Sequence, residues 1–274
     1  MKITVLVDNG AAPGLVAQRG LSLLIEDAHG AILFDTGQDD RFLRNAAALG
    51  VDPTRVSHLV LSHGHYDHSG GLPAFSQRLR RDGRPAPTLV AHPDAFVRRG
   101  LHLRLPGAVL RLRKLGAPWS CEQAEACFPC RLQREPYWLN EDWVFLGEIP
   151  PAATPGRHGF GSVLADGHVR RDPIRDDSAL VGLTPNGLVI VAGCSHSGVI
   201  DIIDHARAVT GESRVHAIVG GLHLRSARAA RVDAVAAALR ERGVTRVHAC
   251  HCTGRAAARL PGQCAIHSGS QIEL

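Results

Sequence analysis

Lysine is nearly absent from this 274-residue chain: Lys2 and Lys114 are the only two, so almost all of its 31 basic residues are arginine. Aromatic residues are scarce too, at 4% of the composition. Without an aromatic platform the chain has little on which to stack bases. No recognised nucleic-acid motif accompanies the formal charge of +5, so nucleic acid is not an expected partner. Long apolar runs are missing as well, which argues against a membrane span. Met1-Lys2 leads straight into Ile3-Thr4-Val5-Leu6-Val7, a strand pattern rather than a secretory leader, and the chain reads as cytoplasmic. Seven cysteines, an odd number with no export signal, are expected to be reduced thiols.

What is present is a globular composition, 45% hydrophobic, long enough to bury a sizeable core. The expectation is one domain over 1–274, with an insertion at about 97–142. The chain is organised around Leu59-Val60-Leu61-Ser62-His63-Gly64-His65-Tyr66-Asp67-His68-Ser69-Gly70-Gly71-Leu72. An apolar run reads as a buried strand and ends in three histidines and an aspartate. A loop leaving a strand end can turn His63 and His65 toward one point, and Asp67 and His68 toward a second point close by. Imidazole and carboxylate are ligands that zinc, iron and manganese accept. With 16 histidines in the chain a stray pair would mean little, but this spacing directly after a strand is specific.

Along the chain, Leu21–Glu26 and Ala31–Phe34 read as a hairpin, Asp39–Leu49 as an amphipathic helix stopped by Gly50, and Val56–Leu61 as the strand feeding the histidine loop. Gly71–Arg81 reads as a helix and Thr88–Ala91 as a strand. Trp143–Leu146 is a further strand, Ala153–Phe160 a Gly/Pro-rich loop, and Ala179–Leu183 with Leu188–Ala192 a second hairpin. Val199–Thr210 and Ser226–Arg242 are helices, the latter with Ser226 as cap. Val215–Val219, Val244–Ala249 and Cys264–Ser268 are strands. Both halves run strands first and then alternate strand and helix, which fits an α/β, four-layer αββα sandwich.

At these residues the sequence resembles the metallo-β-lactamase superfamily. Ile32-Leu33-Phe34-Asp35-Thr36-Gly37 is similar to its strand-then-Asp-x-Gly signature upstream of the metal loop. Gly193-Cys194-Ser195-His196-Ser197-Gly198, Gly220-Gly221-Leu222-His223-Leu224 and His251-Cys252-Thr253-Gly254 resemble one branch, which includes dihydropterin–aminobenzene phosphate synthases. The resemblance implies a sandwich with metals at strand ends between two sheets. It also implies two ions, zinc or else iron or manganese, with a water or hydroxide between them as nucleophile. His63, His65 and His196 would hold one ion; Asp67, His68 and His251 the other. Asp67 would also orient the nucleophile, and Asp35 would accept a hydrogen bond from a ligand imidazole. Three ligand questions stay open. His158 competes with His196, although Arg157 displaces it from the Pro-Gly-His pattern of common hydrolases. Cys194 stands where those hydrolases carry an aspartate and competes as a soft ligand. His223 is read as a catalytic, substrate-binding or supporting residue, with a share of the ligand role. Asp176-Asp177 either approach the site or cap a turn.

The implied activity is a metal-dependent hydrolase acting on a small anionic substrate, phosphorylated or carboxylated. The rivals are a pterin-related synthase and, ranked lower, a diiron redox protein. Residues 97–142 read as irregular, a lid or substrate loop in which Arg98, Arg99, Arg104, Arg111 and Arg113 would hold the anion. Cys121, Cys127 and Cys130 lack an evident fourth ligand and read as free thiols. The oligomeric state is left open, a homo-oligomer included.

Overall fold

In the computed structural model, residues 1–105, 108–150, 159–165 and 168–274 are described. Alternation along the strands sorts side chains to two faces of each sheet. In Lys2–Val7, Ile3 and Val5 face the second sheet while Leu6 faces the helices behind; the ladder shifts register between Val5 and Val7. The first sheet has seven strands, in the order Gln271–Glu273, Lys2–Val7, Ser22–Asp27, Gly30–Phe34, His58–Val60, Thr88–Ala91, Cys130–Leu132. Its first three pairings are antiparallel and its last three parallel. The second has six, in the order Val247–Ala249, Val215–Gly220, Gly187–Ala192, Ala179–Thr184, Trp143–Phe145, Tyr137–Trp138.

Among the described residues, three apolar clusters define the layers. Ile3, Val5, Phe34, Val60 and Val90 meet Trp143, Phe145, Val189, Val191 and Val219 between the sheets. The outer face of the first sheet buries Phe42 of helix Arg41–Leu49 and Leu72, Phe75 and Leu79 of helix Leu72–Arg81. The outer face of the second buries Ile202, Ile203 and Ala206 of helix Val199–Thr210 and Ala236 and Leu239 of helix Ala229–Glu241. Each large side chain so buried contributes about 1.5–3 kcal/mol relative to exposure. The result is the expected four-layer αββα sandwich.

Several local expectations are corrected. The histidine loop does not run straight to the next helix: Tyr66–Ser69 makes a short helix of its own, with Asp67 and His68 inside it. Ser226 does not cap the late helix. The chain turns first, the Ala227 N–H donating to the Leu224 carbonyl at 3.0 Å, and the helix starts after Arg228 without a side-chain cap. The closing strand is Gln271–Glu273, paired with Lys2–Thr4; the segment before it makes only isolated bridges at Gln263 and Ser268.

Residues 97–142 are less irregular than expected. Arg99–Leu105 and Ala108–Lys114 form a hairpin that joins Ser162–Ala165 and His168–Arg171 in a four-stranded antiparallel sheet. Cys121 opens a short helix behind a Ser120–Gln123 capping box, and Cys121, Cys127 and Cys130 pack against the core beneath the first sheet. Residues 151–158, most of the expected Ala153–Phe160 loop, lie outside the described residues. So does the side chain of Arg104.

Candidate metal centre

Parallel strands converge on the site and deliver donors at their carboxyl ends. His58–Val60 leads to His63, Gly187–Ala192 to Cys194 and His196, Val215–Gly220 to His223, and Val247–Ala249 to His251 and Cys252. Crevices outside strand carboxyl ends are where open α/β sheets place ligands. Asp35, Ser195, His223 and His251 all have left-handed backbones, with φ between 49° and 59°. Such conformations cost free energy and persist where the surroundings over-determine them. His251 shows how: its N–H donates to Asp8 Oδ1 at 2.8 Å, and its carbonyl accepts from Asn9 Nδ2 and from Arg225 Nη2, each at 2.8 Å.

The donors gather into overlapping groups whose ligand atoms lie within 4.8 Å of one another. His63, His65 and His196 form one; Asp67, His68 and His251 form another. His63 Nε2 faces His65 Nδ1 at 2.9 Å, and His68 Nε2 faces His251 Nε2 at 3.2 Å. Nitrogens bound to a common ion at about 2.0–2.1 Å sit roughly 3.0–3.4 Å apart, so this spacing fits metal coordination. Asp67 Oδ2 lies 3.7 Å from His251 Nε2. Cys194 is not turned away: its Sγ is 3.2 Å from His68 Nε2 and belongs to a third group with His63 and His68. Cys194, His223 and Cys252 form a fourth.

Buried polar partners hold these donors in place. Asp35 is fully buried; Oδ1 accepts from the Ser62 N–H at 2.8 Å, and Oδ2 accepts from the Ser62 hydroxyl and pairs with His68 Nδ1, both at 2.7 Å. Asp35 thus stands directly behind the His68 ring. Asp176 Oδ2 accepts from the Gly64 N–H at 2.7 Å, beneath the His63–His65 loop, and Asp177 Oδ2 accepts from the Ser197 N–H at 2.8 Å, beside His196. Asp176 and Asp177 therefore brace the two loops. At Gly64 a side chain has no room, because a Cβ would overlap the Ala95 carbonyl and meet Arg99 Nη1 at 2.7 Å.

Burial pulls the His63, His65 and His251 imidazoles well below the usual histidine range, and neighbouring positive groups push the same way. Neutral rings with free lone pairs are what a metal ion requires. His68 differs: burial pulls it down too, but the Asp35 carboxylate, with Asp67 and Cys252 adding to it, raises it to about 9. Burial lifts the Asp177 carboxyl to about 6. Of the two thiols, Cys194 is pushed up by desolvation. Cys252 is lowered despite burial, through hydrogen bonds from Cys194 and His223.

Beside the donors opens a cavity of about 430 Å³, with Arg19, Arg113, Arg225, Tyr66 and Phe160 in its wall. Of the arginines expected to hold an anion whose side chains are described, Arg98, Arg99, Arg111 and Arg113, only Arg113 reaches it. Arg99 is a correction: it is 2% exposed and bonded to Asp172 and Asp176, so it is neither a surface charge nor a substrate contact. Arg98 and Arg111 line a separate depression. His158 lies outside the described residues. Among the described residues, no donor group includes Cys121, Cys127 or Cys130. Sequence reasoning passed over Arg19, Arg225 and Cys252; the signal for Cys252 was its adjacency to His251.

The sequence profile of the metallo-beta-lactamase superfamily matches residues 16–207. The chain is 30% identical over 255 residues to the 7,8-dihydropterin-6-methyl-4-(beta-D-ribofuranosyl)-aminobenzene-5'-phosphate synthase of Methanocaldococcus jannaschii, covering 87% of this chain and 82% of that protein. It is also 30% identical over 222 residues to an uncharacterized protein of the same organism, covering 81% and 79%. Among solved structures, Tm1679, described as a metal-dependent hydrolase of the beta-lactamase superfamily, superposes with a TM-score of 0.82 at 29% identity, covering 100% of this chain and 99% of that one.

Proposed function

The chain belongs to the metallo-beta-lactamase superfamily, and from that premise we propose that it is a hydrolase in which a dinuclear metal site activates water against a small anionic substrate. The observation that carries this reading is the pair of donor triads, His63–His65–His196 and Asp67–His68–His251, opening on one cavity. Each triad would hold one ion; imidazole with carboxylate suits zinc, and iron or manganese are also accepted. When bound, the ions would lower the pKa of a water toward neutrality and polarise the substrate. Asp67 would orient that water and take up its proton, being the least buried donor of its triad. His223 stands at the same cavity, its ring 4.4 Å from that of His196, placed to touch substrate or support His196.

The cavity wall favours an anion. Arg113 lies over the Tyr66 ring at 5.6 Å and donates to its hydroxyl at 2.9 Å, and neither contact neutralises its charge. The Arg19→Ala, Arg113→Ala double variant should raise KM by about 10- to 100-fold with kcat little changed, as loss of uniform charge-assisted binding predicts. Steady-state kinetics check it, and an unchanged KM removes the anion from the reading. The Asp35→Asn variant, which loses the carboxylate behind His68, should bind metal about 10- to 100-fold more weakly. Competition against a chromogenic chelator measures this.

Metal analysis of the purified protein, then hydrolysis assays on phosphodiester, lactone and thioester panels, test the proposal; metal at trace level only would sink it. A second reading is a pterin-related synthase, supported by the 30% identity to the M. jannaschii enzyme over 87% of this chain. Formation of that enzyme's product by a protein inert on all three hydrolysis panels would decide for it.

A further inference from the structure

Cys194, His223 and Cys252 belong to neither of the two triads. These three come from the ends of three successive parallel strands, Gly187–Ala192, Val215–Gly220 and Val247–Ala249. Their ligand atoms lie within 4.8 Å of one another, the bound that also holds for either triad. The backbone is shaped around them. Ser195, next to Cys194, and His223 itself carry positive φ, and Gly221 has no room for a side chain, since a Cβ there would meet Cys252 Sγ at 2.7 Å. Cys252 is further drawn in by the His223 N–H, which donates to its sulfur at 3.2 Å. On its other side, Cys194 Sγ lies 3.2 Å from His68 Nε2.

We propose that Cys194, His223 and Cys252 form an additional site for a thiophilic cation, lying beside the two triads and joined to them through Cys194. Two sulfurs and one imidazole are a donor set that zinc, cadmium or copper(I) takes in preference to the harder ions. All three residues line the cavity, so a remaining coordination position would face it and remain open to water or a substrate group. On loading, both sulfurs bind as thiolates, any proton they carry passing to solvent. The site stands on its own donors and does not require the hydrolase reading.

Cadmium tests it, because thiolate–cadmium bonds absorb in the near ultraviolet where imidazole and carboxylate bonds do not. Chelator-stripped protein, kept reduced with a phosphine, is titrated with Cd²⁺ and its bound metal counted after desalting. The intact chain should take up one equivalent more than Cys252→Ala, with a thiolate band that Cys252→Ala loses at least in half. His223→Asn, which keeps both thiols, should weaken the thiolate-linked equivalent by more than the roughly 10–100-fold that loss of an outer hydrogen-bond partner costs. His65→Ala should keep the thiolate band while losing metal elsewhere, which separates this site from the triads. Equal stoichiometry and equal spectra for the intact chain and Cys252→Ala overturn the proposal. So does loss of the thiolate band in His65→Ala.

Discussion

Replacing His65 with alanine should strip the ion from the His63–His65–His196 triad and lower turnover by about 10³-fold or more. An ion at a reacting oxygen supplies several kcal/mol of transition-state stabilisation, and each ~1.4 kcal/mol is tenfold in rate. The fold should survive. His65 sits at the head of the short helix Tyr66–Ser69, in none of the three apolar clusters. The checks are elemental metal analysis, turnover on the best substrate from the hydrolysis panels, and a thermal melt. Unchanged metal content in the variant refutes the assignment of His65.

The second large effect lies away from the donors, at Arg99. Its guanidinium reaches Asp172 Oδ2 through Nε at 2.5 Å and both oxygens of Asp176 through Nη1 and Nη2, all three residues being at most 2% exposed. Arg99→Met would keep the volume and strand two buried carboxylates. Breaking a buried ion pair from one side costs about 3–5 kcal/mol, which for a chain of this size lowers Tm by roughly 10 °C. The deficit should depend on pH. Burial already raises the Asp172 pKa, and without the guanidinium it rises further. A carboxyl with a folded pKa above its unfolded value binds a proton on folding. The variant should therefore regain stability as pH falls toward the carboxylate range and lose it as pH rises. Thermal melts across pH check this, and a pH-independent deficit would point to lost packing instead. Because Asp176 also holds the Gly64 N–H, the variant should loosen the histidine loop.

The contrast between these two residues shows what the sequence carries. His63, His65, Asp67 and His68 lie within six positions of one another, so their shared chemistry is visible in one glance at the chain. His196 and His251, which the structure brings into donor groups with the histidine loop, each follow an apolar run that reads as a buried strand, but it took the family resemblance to prefer them to His158 and His223. The four-layer sandwich followed from the same alternation, read over the whole chain. Arg99 was not legible: its partners stand 73 and 77 residues away, and no local pattern separates a buried arginine from a solvated one in a segment so rich in them. The hairpin it opens did leave a trace. Leu101, Leu103 and Leu105, then Leu110 and Leu112, recur every second residue, the period of a strand, beneath a composition that reads as loop. Cys252 was obscured by the histidine before it. The helix Tyr66–Ser69 is too short to announce itself by periodicity, and the closing strand Gln271–Glu273 is three residues long with one buried position.

The opposition of His68 and His251 across 183 residues of chain has a thermodynamic side. Donors from the early and late parts of the sequence meet only when both sheets are in place, so an ion between them would be a ligand of the native state and not of the unfolded chain. Mass action then makes free metal a variable of folding: at a thousandfold excess over Kd, binding adds about 4.1 kcal/mol of stability, comparable with the margin of many domains. Scarcity of metal would reduce the amount of folded protein as well as its turnover.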